Sequence, residues 1–211
     1  QTEEVLDYVL SAMTLVSKNG MGALFTYDGK SYSAEGRPLS IAPYQDPHPP
    51  LWRPGTLSTA ARMGVSTILP GPVESLPAMV AAYRDEQNSD GAGGHAPILS
   101  TLRRLVIATT EREAVKIATR AWERFDANLT KLFRQYDLWP PTMVPSFMGD
   151  VDRAFQTEAL IAGTREQVAE YFDRFESESD LGHVTICPAF GDVSGSEART
   201  TLELLCEAMK I

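Results

Sequence analysis

The sequence predicts an α/β fold built on a parallel sheet, and three observations carry that prediction. From residue 51 onward, short apolar strands alternate with amphipathic helices four times, the order expected of α/β. The strands lack the polar alternation of a half-exposed sheet, as expected where both faces are covered. The 211 residues, 43% of them hydrophobic, suffice for one cored domain or at most two small ones. A complete eight-unit barrel takes about 250 residues, and this chain offers about four βα units. Pattern alone leaves two architectures open, a small open sheet and half of a barrel.

Gln1-Thr2-Glu3-Glu4 enters directly into a helical pattern, with early carboxylates suited to the positive end of a helix dipole. Val5, Leu6, Val9, Leu10, Met13 and Val16 recur at three- and four-residue steps, and Asn19-Gly20 is a helix stop. Residues 23–27 read as a short strand, Asp28-Gly29 as a tight turn and 30–33 as an antiparallel return. Six prolines between Pro38 and Pro54 then exclude helix, with Leu51-Trp52 the one strand-like fragment among them. Residues 58–63 form a helix that Gly64 ends, and 65–69 form a β-branched strand before Pro70-Gly71-Pro72. The next helix places Val73, Leu76, Met79, Val80 and Tyr83 on one face.

A glycine-rich loop at 88–97 precedes a strand at 104–108. Val115, Ala118, Trp122, Phe125, Leu129, Leu132 and Tyr136 follow at steps of three and four, which predicts a helix packed on the core along that stripe. The same spacing also fits a coiled coil. Residues 137–157 read as irregular, because Trp139-Pro140-Pro141 and Pro145 break any helix. Thr164 caps a helix carrying Val168, Tyr171, Phe172 and Phe175. A strand at 183–187 and a last helix with Leu202, Leu205, Cys206 and Met209 inward complete the order. The expected sheet has parallel strands near 51–53, 65–69, 104–108 and 183–187, with helices on its outer side.

A formal net charge of −9 argues against a nucleic-acid partner. No apolar run approaches the roughly 20 residues of a membrane span, and no signal sequence opens the chain, so a cytoplasmic protein is expected. Cys187 and Cys206 fit free thiols in a reducing compartment. His48, His95 and His183 show no metal-ligand spacing and read as structural. Asp90-Gly91-Ala92-Gly93-Gly94-His95 follows a helix instead of a strand, so it reads as a surface loop or lid and not as a dinucleotide fingerprint.

Arg53-Pro54-Gly55-Thr56-Leu57-Ser58 leads from the strand-like fragment into a helix N-terminus, where free N–H groups suit a phosphate. Gly55 permits close backbone approach, Thr56 and Ser58 add hydroxyls, and Arg53 adds charge unless it points to solvent. Simple capping by Thr56 or Ser58 explains the same residues. Spacing does not choose between the two.

At these residues the sequence resembles the luciferase-like flavin-dependent monooxygenases, the superfamily of bacterial luciferase. Phe25-Thr26-Tyr27-Asp28-Gly29-Lys30-Ser31-Tyr32 is similar to its F-x-Y-D-G-K-x-Y hairpin. Tyr44-Gln45-Asp46-Pro47-His48-Pro49-Pro50-Leu51-Trp52 is similar to its Q-x-P-H-P-P-x-W run. Ala162-Gly163-Thr164-Arg165-Glu166-Gln167-Val168 resembles its G-T-P-E-x-V helix start, and Phe190-Gly191-Asp192 its F-G-D after the last strand.

The resemblance implies a TIM-type (β/α)8 barrel of which this chain, 1–211, is the C-terminal portion. It would comprise a helix at 1–20, a hairpin excursion at 23–34 and strands five to eight from residue 51. Strands one to four, with the usual catalytic candidates, would lie upstream, so no catalytic residue is assigned here. The flavin-phosphate segment would be Gly55, Thr56 and Ser58 with Arg53, and Gly71 on the same rim. The implied activity is monooxygenation of a small organic substrate by reduced FMN and O2, with the flavin supplied by a partner flavin reductase. The alternatives are a deazaflavin-dependent hydride transfer and a non-catalytic flavin- or phosphate-binding remnant. A homo-oligomer is expected. A half-barrel would also leave an apolar inner face open around Val65, Ile68, Val106 and Ile186, and should dimerise or bind a hydrophobic dye.

Overall fold

The computed structural model describes residues 2–46, 48–87, 96–138 and 150–210. The Asp90–His95 glycine-rich loop and the breakers Trp139, Pro140, Pro141 and Pro145 lie outside the described residues. The chain divides into two compact units, one of 1–53, 58–67 and 86–98, the other of 54–57, 68–85 and 99–211.

In the first unit, helix α1 (Thr2–Asn19) is followed by the antiparallel hairpin of β1 (Leu24–Asp28) and β2 (Ser33–Pro38). The return strand starts at 33 and not at 30, because the Gly29 N–H donates to the Tyr32 carbonyl (3.0 Å) and closes a longer loop. The hairpin is a two-stranded sheet of its own. It is pinned to α1 by Tyr8, whose ring lies 5.1 Å from Phe25 and 5.2 Å from Tyr27, edge to face. Tyr27 donates its hydroxyl to Asp7 (2.8 Å), and the Ser31 N–H donates to Glu4 (2.6 Å). Leu51-Trp52 is not a strand. Trp52 makes one isolated parallel bridge to Ser66, since Pro49, Pro50 and Pro54 withhold the N–H groups a ladder needs. Helix α2 (Leu57–Met63) follows.

The second unit holds the sheet. Strand β3 (Thr67–Leu69) is bonded to β4 (Leu99–Ile107), which is longer than the expected 104–108 and ends one residue sooner. Residues 104–107 of β4 run parallel to β5 (Leu160–Gly163), and residues 101–104 run parallel to β6 (Val184–Cys187). Strand β5 is absent from the sequence expectation, which ran the Ala162-Gly163 segment into the helix start. Helices α3 (Leu76–Glu86), α4 (Glu111–Tyr136), α5 (Val151–Gln156), α6 (Arg165–Glu178) and α7 (Gly195–Met209) surround the sheet.

The two sheet faces have different covers. Leu105, Ile107, Ile161, Val184 and Ile186 pack with residues of α3 and α6 and with Leu204 and Leu205 of α7. Val106, Leu160, Ala162 and Cys187 pack with Ala114, Ala118, Ala121 and Trp122 of α4 and Ala154 of α5. The helices are therefore not confined to one side, and of the residues expected on an open inner face, Val65 and Val106 are buried while Ile68 and Ile186 are half-buried. Val106 is 1% exposed and Val65 2%.

Two helices bury different residues from those expected. On α4 the buried line runs Ala114, Ala118, Trp122, Asp126 and Thr130, whereas Leu129, Leu132 and Tyr136 are exposed. A strict three-four stripe has a period of 3.5, and on a straight helix it drifts by about 20° per heptad away from a fixed face. On α7, Leu202, Cys206 and Met209 are exposed, and the inner face is led by buried Thr201 with Leu204 and Leu205 half-buried. Thr201 turns inward because its hydroxyl accepts from the Ile107 N–H (3.1 Å), satisfying the end of the central strand. Val5 on α1 is also exposed. The stripe of α6 is buried as expected at Val168, Tyr171, Phe172 and Phe175.

Candidate functional site

Arg53 and Ser58 belong to the first unit, and Gly55, Thr56 and Gly71 to the second. Arg53 is fixed by its backbone, its N–H donating to Ser66 (2.8 Å) and its carbonyl accepting from the Thr67 hydroxyl (2.8 Å). Its guanidinium Nε is buried and has no hydrogen-bond acceptor. Gly55 has φ +120°, a conformation that L side chains rarely adopt, and a Cβ built there would meet nothing within 4 Å. Glycine is thus required there by backbone conformation, and the space beyond it is open. Thr56 is exposed and Ser58 half-buried. Within the second unit, an open glycine turn and an exposed hydroxyl thus adjoin at Gly55 and Thr56.

Gly71, at the carboxyl end of β3, is a turn glycine with φ +100°. A Cβ there would lie 2.6 Å from the Ser75 hydroxyl. Its carbonyl is held by Arg103, a fully buried cation that the sequence expectation did not single out. Arg103 donates to Gly71 O (2.8 Å) and through Nε to the Tyr171 hydroxyl (2.7 Å), with Glu158 3.7 Å away. Glu158, at φ 55°, accepts from the Val73 N–H (2.9 Å) and is also bonded to Arg174. The Glu158 carboxylate holds the Arg174 guanidinium above its ordinary range, and burial pushes the Tyr171 phenol up. The network locks the 71–73 turn to β4 and α6. The available signal was the Arg103-Arg104 doublet inside an otherwise apolar strand.

The other turns following parallel strands are closed by their own side chains. Thr110 accepts from Glu113 N at the start of α4, and Thr164 and Ser194 form capping boxes with Gln167 and Glu197. At Gly191, after β6, an added Cβ would collide with the Ala121 backbone, so the Phe190-Gly191-Asp192 turn lies directly against α4. Asp192 and Glu197 both bind Arg120 there (3.0 and 2.9 Å). His48 is buried with Nδ1 2.8 Å from the Pro49 carbonyl, and the exposed His183 has Nδ1 2.9 Å from the Ser100 hydroxyl. Cys187 and Cys206 are free thiols. Among the described residues, no helix is long and apolar enough to cross a membrane.

No family model matches the sequence. The uncharacterized protein y4wF of Sinorhizobium fredii is 29% identical over 178 residues, which is 82% of this chain and 51% of the relative. The chain therefore spans about half the length of the curated relative it matches. Monooxygenase RslO1 from Streptomyces bottropensis is similar over 99% of this chain and 59% of its own, with a TM-score of 0.74 and 19% identity. The oxygenating constituent of 3,6-diketocamphane monooxygenase from Pseudomonas putida, solved with FMN, matches 99% of this chain and 62% of its own (TM-score 0.65, 17% identity). The coenzyme F420-dependent tetrahydromethanopterin reductase of Methanopyrus kandleri matches 97% and 60% (TM-score 0.58, 14% identity). The parallel sheet with its flanking helices has the fold of the luciferase-like flavin-dependent monooxygenases.

Proposed function

We propose that this chain is part of a flavin-dependent oxidoreductase, a monooxygenase that uses reduced FMN and O2 on a small organic substrate. The observation that carries the proposal is the fold shared with RslO1 over 99% of the chain. When bound, the reduced flavin supplies the electrons that activate O2, and the protein binds, orients and shields it. In this reading the whole domain is a TIM-type barrel, and the protein is a cytoplasmic homo-oligomer that receives its flavin from a reductase.

The residues proposed for the cofactor phosphate are Gly55 and Thr56, with Arg53 and Ser58 beside them in sequence and Gly71 as a turn glycine of the same sheet rim. The open space that a Cβ at Gly55 would enter and the exposed Thr56 hydroxyl support the reading. No catalytic residue is assigned. The likeness to the F420-dependent reductase supports deazaflavin-dependent hydride transfer as a second reading of the same fold.

The test is FMN affinity in Arg53→Met and Gly55→Val, with the fold checked by circular dichroism. Loss of one charge-assisted phosphate bond, roughly 1.5–3 kcal/mol, is expected to weaken binding about tenfold or more. Unchanged affinity in both variants would reduce the segment to an ordinary helix entry. A preference for the deazaflavin in a parallel titration would favour the second reading.

A further inference from the structure

The sheet face covered by α4 carries a cation with no carboxylate beside it. Arg104 projects from β4 onto α4, its guanidinium carbon 3.9 Å from the Phe125 ring centroid and 5.6 Å from that of Trp122. The Arg104 Nε is buried and has no acceptor. The indole Nε1 of Trp122, in a side chain only 3% exposed, has none either. Two N–H donors without acceptors thus occur in one cluster, and each carries an uncompensated desolvation cost.

The surroundings supply nothing to answer them among the described residues. Arg104 makes no ion pair there, and Asp126, one turn along α4, is taken by Arg134 (3.2 Å). Cys187 stands in register with Arg104 on the neighbouring strand and donates its thiol to the Ala189 carbonyl (3.3 Å). Burial pushes the guanidinium below its ordinary range, so its charge is held at a cost that an anion would relieve. Arg104, Phe125 and Cys187 are each half-buried, so the cluster lies at the margin of the packed face and not at its centre.

We propose that Arg104, Trp122 and Phe125 form a binding site for a small organic carboxylate with an apolar body. A single guanidinium and a neutral indole N–H match one negative charge spread over two oxygens, each taking one bond. A phosphate dianion would bring a second charge that nothing in the cluster neutralises. The two aromatic rings offer apolar surface to the body of the ligand. The site stands on the α4 face of the sheet and does not depend on the flavin reading.

The test is calorimetric titration of the 211-residue chain with benzoate, benzyl alcohol and inorganic phosphate. The expected result is saturable binding of one benzoate, weaker binding of phosphate and none of benzyl alcohol. Arg104→Met and Arg104→Lys are each expected to weaken benzoate about tenfold, the lysine because it keeps the charge but lacks Nε. Trp122→Phe keeps a ring, loses the donor and is expected to weaken it several-fold. Absence of benzoate binding in the wild type would overturn the proposal, as would phosphate binding as tight as benzoate. Unchanged benzoate affinity in Arg104→Lys and Trp122→Phe would do the same, which decides the matter even if Arg104→Met fails to fold.

Discussion

Replacing Arg103 by Met is expected to destabilise the second unit by about 2–4 kcal/mol. The side chain is 1% exposed and donates to the Tyr171 hydroxyl at 2.7 Å and the Gly71 carbonyl at 2.8 Å. Each hydrogen bond from a buried charged group is worth roughly 1.5–3 kcal/mol, so the gross loss is about 3–6 kcal/mol. Part is returned because a buried charge no longer has to be desolvated and Met fills similar volume. Urea unfolding followed by far-UV circular dichroism reads the change as a lower midpoint at unchanged slope. For a chain of this size the thermal midpoint should fall by roughly 4–16 °C. The double variant Arg103→Met, Glu158→Gln should lose less than the sum of the singles, because the two charges are 3.7 Å apart. A loss under about 0.5 kcal/mol, or a gain, would refute the reasoning, showing that apolar packing replaces this network without penalty.

Two further outcomes follow from the same geometry. Gly191→Ala should cost at least about 2 kcal/mol and displace the turn from α4, because φ is 58° and the new Cβ meets the Ala121 backbone; a chemical-denaturation midpoint within error of wild type would contradict this. Tyr27 donates to Asp7 and its pKa is pushed up to about 12 from 10, so the protonated phenol is favoured by folding. The stabilisation is therefore full below pH 10 and lost as pH rises from 10 to about 12. Burial also raises Tyr83 and Tyr171, so ultraviolet titration should show several late tyrosinate steps, of which one moves down in Asp7→Asn; no change in that variant would count against the bond.

What was legible in the sequence was local. Thr164 announced a helix cap, and α6 buried all four residues its period selected. The Asp28-Gly29 turn announced the hairpin, although the bond from Gly29 to Tyr32 delayed its return. What was not legible depended on partners distant in the chain. Leu160–Gly163 is too short and too close to a helix cap to read as a strand until β4 pairs with it. Leu129, Leu132 and Tyr136 follow a stripe that only a supercoiled partner would keep buried. Thr201 and Arg103 are polar residues turned inward by single acceptors or donors, which no apolar pattern can reveal. At the candidate site the segment was legible, but its conformation was not. Gly55 is required by its positive φ and not by close approach, and the burial of the Arg53 Nε without an acceptor appears only once the chain is folded.

The most direct test of the flavin reading compares FMN with riboflavin, two ligands that differ by the phosphate alone. Flavin fluorescence titrated against the protein should show saturable binding of FMN and riboflavin binding at least about tenfold weaker, because the proposed reading has Gly55 and Thr56 address the phosphate. Equal affinity for the two flavins, or binding of neither, would contradict it.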